Sequence, residues 1–428
     1  MSYKIYGAVR GMYLKKGKNG NYVLAIPRKP QMMAGTKLVV SIPGILVGLT
    51  IIYCIFFPAD RLNIKEIILA SALFVSVPYI YRYIRKRDNL RLTFFSIIYP
   101  AITTLLSITV GDSSINAALS FGYVWIYLLL IPVIDDLQLD IRKPFVFGTI
   151  GVALIVNFIF LTDLFGIISI YSNPVLKFFY NLREVQWGKG PLATFGYSIF
   201  YKTSPLILFT LGYMLHTKRY IWSIILFVAI IGSGTRANLL AGLFVFILVP
   251  LTETSRKSLK RIVVLVLIIV SVAYFGPILF DRLSKLNHLK FNRSEAVKLG
   301  AIYSIFDHLN QAPYRYIFGS GVGSYFYSSG RDAYVSVVEV SFFDYFRQVG
   351  VLGFSFFLYF ILYPIKWLFK NERWLLICYL GYLAVAATNP LLVTSTSFMA
   401  YVLILSNGMG RERVSLMNSK KLSSYFEK

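Results

Sequence analysis

The run YIWSIILFVAIIGSGTRANLLAGLFVFILVP, residues 220–250, is apolar except at GSGTRAN, residues 232–238. A single transmembrane helix needs roughly 20 apolar residues, and this run is well beyond that. One crossing would leave either HTKR (216–219) or SRKSLKR (255–261) outside, against the preference of basic loops for the cytoplasm. Two crossings, as a hairpin of short helices of about 13–15 residues each, keep both basic loops inside. Gly232, Ser233 and Gly234 then make a tight outer turn, with Arg236 at its tip.

The rest of the chain agrees with this membrane reading. Of 428 residues, 57% are hydrophobic and only 15% are charged, with a mean hydropathy of +0.64. A soluble domain carries about 25% charged residues, so a soluble enzyme, a collagen-like chain and a disordered tail are excluded. Cys54 and Cys378 sit in apolar runs and read as buried thiols. His216, His288 and His308 lack metal-ligand spacing. Lysine and arginine exceed the acids by 25, which on such a chain points to cytoplasmic loops and anionic lipid and away from nucleic acid.

Further apolar stretches occur at 38–58, 66–84, 92–110, 118–134, 145–170 and 193–215, then at 262–280, 349–368, 374–390 and 394–408. RYIRKRDNLR (82–91) is strongly basic, whereas GDSSIN (111–116) carries one acid and no base, which orients the series. The expected architecture is an all-α polytopic membrane protein of about twelve transmembrane helices. A basic cytoplasmic tail (1–37) precedes helices 1–9 (38–280), which include the 220–250 hairpin. An extracytoplasmic loop (281–348), partly helical, leads to helices 10–12 (349–408) and a basic cytoplasmic tail (409–428). Lys202 falls within an expected span.

Charged groups cost roughly 2.5–3.5 kcal/mol at membrane depth, so those near the outer boundary call for a reason. Arg236 reads either as an interfacial arginine reaching for headgroups or, with the turn amides, as an anion clamp. In the outer loop, FNRSEAVKLGAIYSIFDHLNQAP suggests a helix over about 293–311, with Asn292 as N-cap, Glu295 completing a capping box and Pro313 ending it. Arg293 then sits where the helix dipole disfavours a cation. It either meets an anion or pairs with Glu295 or Asp281.

Gly319, Gly321 and Gly323 lack a dinucleotide-binding context and read as a flexible, outward-facing turn. Glu339 lies in the apolar run VSVVEVSFF, where desolvation would suit a general base. The alternative is an ion pair with Arg331 or Arg347. Asp344 and Arg347, three apart, are expected to pair with each other. In YNLREVQWGKGP (180–191), Arg183 and Lys189 beside Trp187 and Tyr180 make either a sugar-and-phosphate surface or an ordinary aromatic belt. Arg315, Arg331 and Tyr325 are further candidates for substrate binding.

Three segments, in this order, resemble the O-antigen polymerase and O-antigen ligase superfamily of bacterial polysaccharide assembly: GSGTRANLLAG (232–242), RSEAVKLGAIYSIFDHLNQAPYRYIFGSGVGSYF (293–326) and EVSFFDYFRQVGVLG (339–353). The resemblance implies that Arg236 and Arg293 bind the diphosphate of a polyprenyl-linked glycan donor. Where ligases of the superfamily carry a His-Asn pair this chain has Glu339-Val340, and the customary Glu before the GxxG turn is Gln348. Both departures favour a polymerase over a ligase. The implied activity is transfer of polyprenyl-diphosphate-linked repeat units onto one another, without metal or other cofactor, at the outer face of the bacterial cytoplasmic membrane. Catalysis would rest on Glu339, Arg236 and Arg293. Membrane lipids and a chain-length regulator protein are the implied partners. A ligase of the same superfamily and a lipid-linked-sugar flippase or transporter are the alternatives.

Overall fold

The computed structural model describes residues 13–16, 22–25, 41–59, 63–85, 89–189, 197–253 and 296–406. The chain forms two units, residues 1–41 and 42–428. In the first, β1 (Tyr13–Lys16) and β2 (Tyr22–Ala25) pair antiparallel, with Tyr13 opposite Ala25.

The second unit is mostly helical. Five helices are long and apolar enough to cross a membrane: α2 (Ile64–Ile84), α3 (Leu90–Thr109), α4 (Ile115–Leu137), α5 (Arg142–Leu164) and one at Ser341–Asn371. Six shorter apolar helices accompany them among the described residues, at Ile42–Phe56 (α1), Ser204–His216, Tyr220–Gly232, Arg236–Thr252, Arg373–Ala387 and Ser395–Ser406. A helix of 13 residues, such as Tyr220–Gly232, spans about 20 Å against a hydrocarbon core of about 30 Å. The expected span at 262–280 and the C-terminal tail lie outside the described residues.

Local sequence accounts for several boundaries. Ser114 caps α4 by accepting the Ala117 N–H at 3.3 Å. Asn173 accepts from Val175 and Leu176 at 3.0 and 3.1 Å and, with Pro174 at the first position, starts α6 (Pro174–Asn181). β3 (Val185–Lys189) and β4 (Tyr197–Tyr201) follow as an antiparallel hairpin. Next come α7 (Ser204–His216), α8 (Tyr220–Gly232) and α9 (Arg236–Glu253). Phe227 meets Phe246 at 5.1 Å between ring centres, and Gly242 lies against Ile230, so α8 and α9 run antiparallel. The break between them falls at Ser233–Thr235, where Gly234 has φ 68°.

The remaining elements are α10 (296–310), α11 (Tyr314–Phe318), β5 (Phe326–Ser328), β6 (Ala333–Val335), α12 (Ser341–Asn371), α13 (Arg373–Ala387) and α14 (Ser395–Ser406). Trp125 of α4 is fully buried between Phe95 and Tyr99 of α3, Phe357 and Phe360 of α12, and Phe398 of α14. Outside this core a belt of large apolar side chains is bare, including Phe74 at 81% and Ile221 at 76% exposure. A belt of that extent is untenable in water and suits lipid. The chain carries membrane-embedded helices.

Polar contacts sort the helix ends. At one end Arg82 pairs with Asp136, Arg142 with Glu372, and His216 stacks on Trp374. At the other, Ala59 meets Glu184, Ser204 meets Asn238, Asp112 meets Arg315, and Ser341 donates to the Asn389 carbonyl. The helices therefore alternate in direction, and the segments 165–203, 233–235 and 311–340 gather at one end.

The three glycines expected to form a flexible outward turn are instead wedged into the bundle. α12 contains a non-helical residue, Gly350, at φ 65° and ψ −177°. This break interrupts the helical ladder, and the carbonyls of Arg347 and Gln348 accept the N–H groups of Ser320 and Gly321 at 2.8 and 3.0 Å. On the other side Val322 N–H donates to Ser107 Oγ at 2.9 Å, and Asp112 N–H to the Ser320 carbonyl at 2.9 Å. Gly111 and Gly321 pack so closely that a Cβ on Gly111 would lie 2.7 Å from the Gly321 Cα. Spacing alone shows that glycines permit a turn; the need for backbone-to-backbone contact arises only from the break in α12.

A Cβ on Gly350 would strike the Ile317 carbonyl in a backbone region that disfavours side chains. Gly350→Ala should therefore cost about 1–3 kcal/mol of stability. Gly188→Ala, whose Cβ meets nothing within 4 Å, should stay within about 0.5 kcal/mol of wild type. Unfolding midpoints of the two variants in detergent check this.

Candidate functional site

The end that gathers the loops is organised by one buried arginine. Arg347, in the first turns of α12, has no exposed surface. Its Nε and Nη2 donate to Asp344 Oδ1 at 3.0 and 2.8 Å, the pairing expected from their spacing. Nη1 donates to Ser324 Oγ and the Ser324 carbonyl at 2.8 and 3.1 Å and to Ser320 Oγ at 3.2 Å. Nη2 also reaches the Ser336 carbonyl at 3.0 Å, and the Phe326 ring covers the guanidinium at 4.2 Å. Asp344 Oδ2 accepts from Gln348 at 2.9 Å. With every donor engaged, Arg347 shapes the site and is sealed from any ligand.

Glu339 and Arg331 come together at 3.2 Å. Glu339 is not desolvated as its apolar neighbours suggest: its side chain is 41% exposed, because 336–340 is an open connection and α12 begins only at Ser341. Arg315 is committed to Asp112 at 2.7 Å, the His308 carbonyl at 2.9 Å and Gln311 at 3.1 Å. Tyr325 is exposed and stands beside the buried Ser324. No hydrogen bond or ion pair among the described residues joins the Arg331–Glu339 pair to the turn that carries Arg236.

Arg236 opens α9 and is half-buried. Its turn is held by Asn238, whose Nδ2 donates to Ser204 Oγ at 2.9 Å and to Ser233 Oγ at 3.3 Å. Ser204 begins α7 just after β4, so the turn is tied to the β3–β4 hairpin. On that hairpin Trp187 is half-buried, with Tyr171 and Tyr180 edge-on at 5.4 and 6.5 Å. Arg183 is exposed and precedes the buried Glu184, which accepts the Ala59 N–H at 2.9 Å. Lys202 is not inside a span: it sits between β4 and α7, within electrostatic reach of Glu184, Arg183 and Lys65. Lys65, seven residues after the carbonyl of Pro58 to which it donates at 3.0 Å, carried no sequence signal as a member of this group.

Arg293, Glu295 and Asp281 lie outside the described residues, and Lys189 is described only through its backbone pairing with Tyr197. An apolar cavity of about 260 Å³ opens between α3 and α12 where Gly350 breaks the helix, lined by Phe94, Ile102, Leu106, Phe318, Leu352 and Phe356 with Gln348 at its rim. The Arg236 turn with the β3–β4 hairpin, and the Arg331–Glu339 pair, lie at the loop-bearing end of the bundle, and the apolar cavity is formed separately between α3 and α12. No protein-family model matches the chain, and no curated protein matches its sequence.

Removing one partner of the buried pair should be severe. Arg347→Met leaves Asp344 without its counter-charge and should cost about 3–5 kcal/mol. Arg347→Met combined with Asp344→Leu should recover part of that loss; unfolding midpoints in detergent decide.

His308 offers a second test. Burial and the nearby Arg315 and Arg347 hold its imidazole down to about 4, against the opposing pull of Asp112. An unfolded histidine titrates near pH ~6.5. The folded chain thus binds this proton less readily, so stability from neutral His308 is full above about 6.5 and declines as pH falls toward about 4. Limited proteolysis of the 296–340 segment should quicken across that window, and His308→Gln should flatten the response.

Proposed function

We propose that this protein is a polymerase that transfers polyprenyl-diphosphate-linked oligosaccharide repeat units onto one another at the outer face of the bacterial cytoplasmic membrane. The observation that carries the reading is the convergence of the Arg236 turn and the aromatic, basic β3–β4 hairpin, tied through Ser204–Asn238–Ser233, at the same end as the Arg331–Glu339 pair. The resemblance of 232–242, 293–326 and 339–353 to the O-antigen polymerase and ligase superfamily supplies the substrate class. On this reading about twelve helices cross the membrane, and both termini lie in the cytoplasm.

The chemistry proposed uses charge placed where it develops. Arg236 and Arg293 hold the donor's diphosphate and stabilise it as the bond from the anomeric carbon to its oxygen breaks. The acceptor hydroxyl attacks that carbon as it gains oxocarbenium character, and its proton passes to Glu339. Arg331 holds the Glu339 carboxylate in place at 3.2 Å. Trp187 with Arg183 and Lys189 supports the glycan, and Arg315, Arg331 and Tyr325 line its path. The cavity between α3 and α12 offers apolar contact to the isoprenoid chain.

Glycan profiles of cells that carry only a variant chain test the reading. Arg236→Ala and Arg293→Ala, each normally expressed, should reduce a long ladder to single repeat units. Glu339→Gln should slow elongation by roughly 10²–10⁴. Full-length polymer from the arginine variants would overturn the assignment. Long chains left on polyprenyl lipid would mark a ligase, and repeat units trapped on the cytoplasmic face would mark a flippase.

A further inference from the structure

Arg183 and Lys202 carry charges that the fold brings together beside a single buried acid, Glu184. Among the described residues neither side chain makes a hydrogen bond or an ion pair with a protein group. Lys202 is half-buried, and its backbone N–H donates to the Glu184 carbonyl at 3.1 Å, which fixes it at the base of the β3–β4 hairpin. Arg183 is left-handed at φ 60° and ends α6, with its N–H on the Tyr180 carbonyl at 2.8 Å. Glycine or asparagine suits such a helix end better, so an arginine there gives up local comfort to place a guanidinium.

Lys65 lies within electrostatic reach of Lys202 and is itself almost fully buried. Glu184, at 1% exposure, is the acid within reach of these cations. Its carboxylate is held by the Ala59 N–H at 2.9 Å. Trp187, half-buried and in perpendicular contact with Tyr171 and Tyr180, lies on the same hairpin. Ser204, two residues beyond Lys202, meets Asn238, two residues beyond Arg236, so the cluster and the Arg236 turn share one hydrogen-bonded seam.

We propose that Arg183 and Lys202, backed by Lys65 and set around Glu184, form an anion site that takes a phosphoryl group carried by a membrane lipid. A guanidinium supplies paired donors and an ammonium a compact charge, the combination that phosphate oxygens satisfy. The site deepens the polymerase reading and rests on it only for the identity of the lipid. That phosphoryl group belongs either to the polyprenyl diphosphate donor or to an anionic phospholipid headgroup.

Acetylation of Lys202, followed by mass spectrometry of the purified full chain, tests the site directly. In phosphatidylcholine nanodiscs, inorganic pyrophosphate should slow labelling severalfold. Arg183→Gln should abolish that protection, while Arg183→Lys should keep it; unchanged unfolding midpoints show that both variants fold. Protection by pyrophosphate supports a diphosphate ligand. Protection only on adding phosphatidylglycerol supports the headgroup. Labelling indifferent to both overturns the proposal. Protection that survives in an Arg236→Ala chain unable to make polymer, or in a wild-type chain shown not to polymerise, leaves the site standing and separates its fate from that of the polymerase reading.

Discussion

The buried guanidinium of Arg347 ties together the loop-bearing end of this molecule. Taking an ion out of water costs several kcal/mol, and the cost is offset only when every donor is matched. Here the match comes from Asp344 on the same helix and from Ser320, Ser324 and Ser336, which belong to the loop that precedes it. Those partners can be in place only if residues 319–336 fold back onto the start of α12. The break at Gly350 makes this possible, because it frees the carbonyls of Arg347 and Gln348 for the N–H groups of Ser320 and Gly321.

The same arrangement passes to the rest of the bundle. Ser107, Gly111 and Asp112 at the end of α3 receive the glycine loop, and Arg315 closes it with an ion pair to Asp112. Tyr99 of α3 meets Tyr345 and the Gly353 carbonyl on either side of the break, at 2.8 and 2.9 Å. Helix-interrupting residues are tolerated in apolar surroundings when neighbouring groups satisfy the backbone they release. The irregular segment therefore lies where loop, α3 and α12 meet, and the apolar cavity occupies the space the broken helix leaves.

Much of the helical framework was legible because apolar runs and basic loops obey simple rules. The division of 220–250 at GSGT follows from glycines interrupting an overlong apolar run, and α8 and α9 part at that point. The Asp344–Arg347 pair follows from helical spacing, and Arg331 was one of the two partners foreseen for Glu339. Three features were not legible. The glycines of 319–323 looked like a free turn, since nothing local indicates that backbone from α3 and α12 closes on both sides. Glu339 looked desolvated because its neighbours are apolar, but burial depends on what covers a segment and not on the residues beside it. Lys65 and Lys202 lie 137 positions apart, and only the packing of the β3–β4 hairpin against the end of α1, just before α2, puts them in one electrostatic neighbourhood.

Sequence by itself determined the solvent of this protein and the rhythm of its chain. A mean hydropathy of +0.64 with 15% charged residues requires a lipid-facing surface, and the spacing of glycines, prolines and basic clusters divides the apolar residues into helices. Tertiary structure decided which polar groups meet. It brought the ends of α3, α7, α9 and α12 to one side and sealed Arg347 within its serines. It also gathered Arg183, Lys202 and Lys65 around one buried acid, Glu184. The reason is one of range: helix formation and partition into lipid depend on residues a few positions apart, whereas a charge's partner is set by whichever distant segment packs against it.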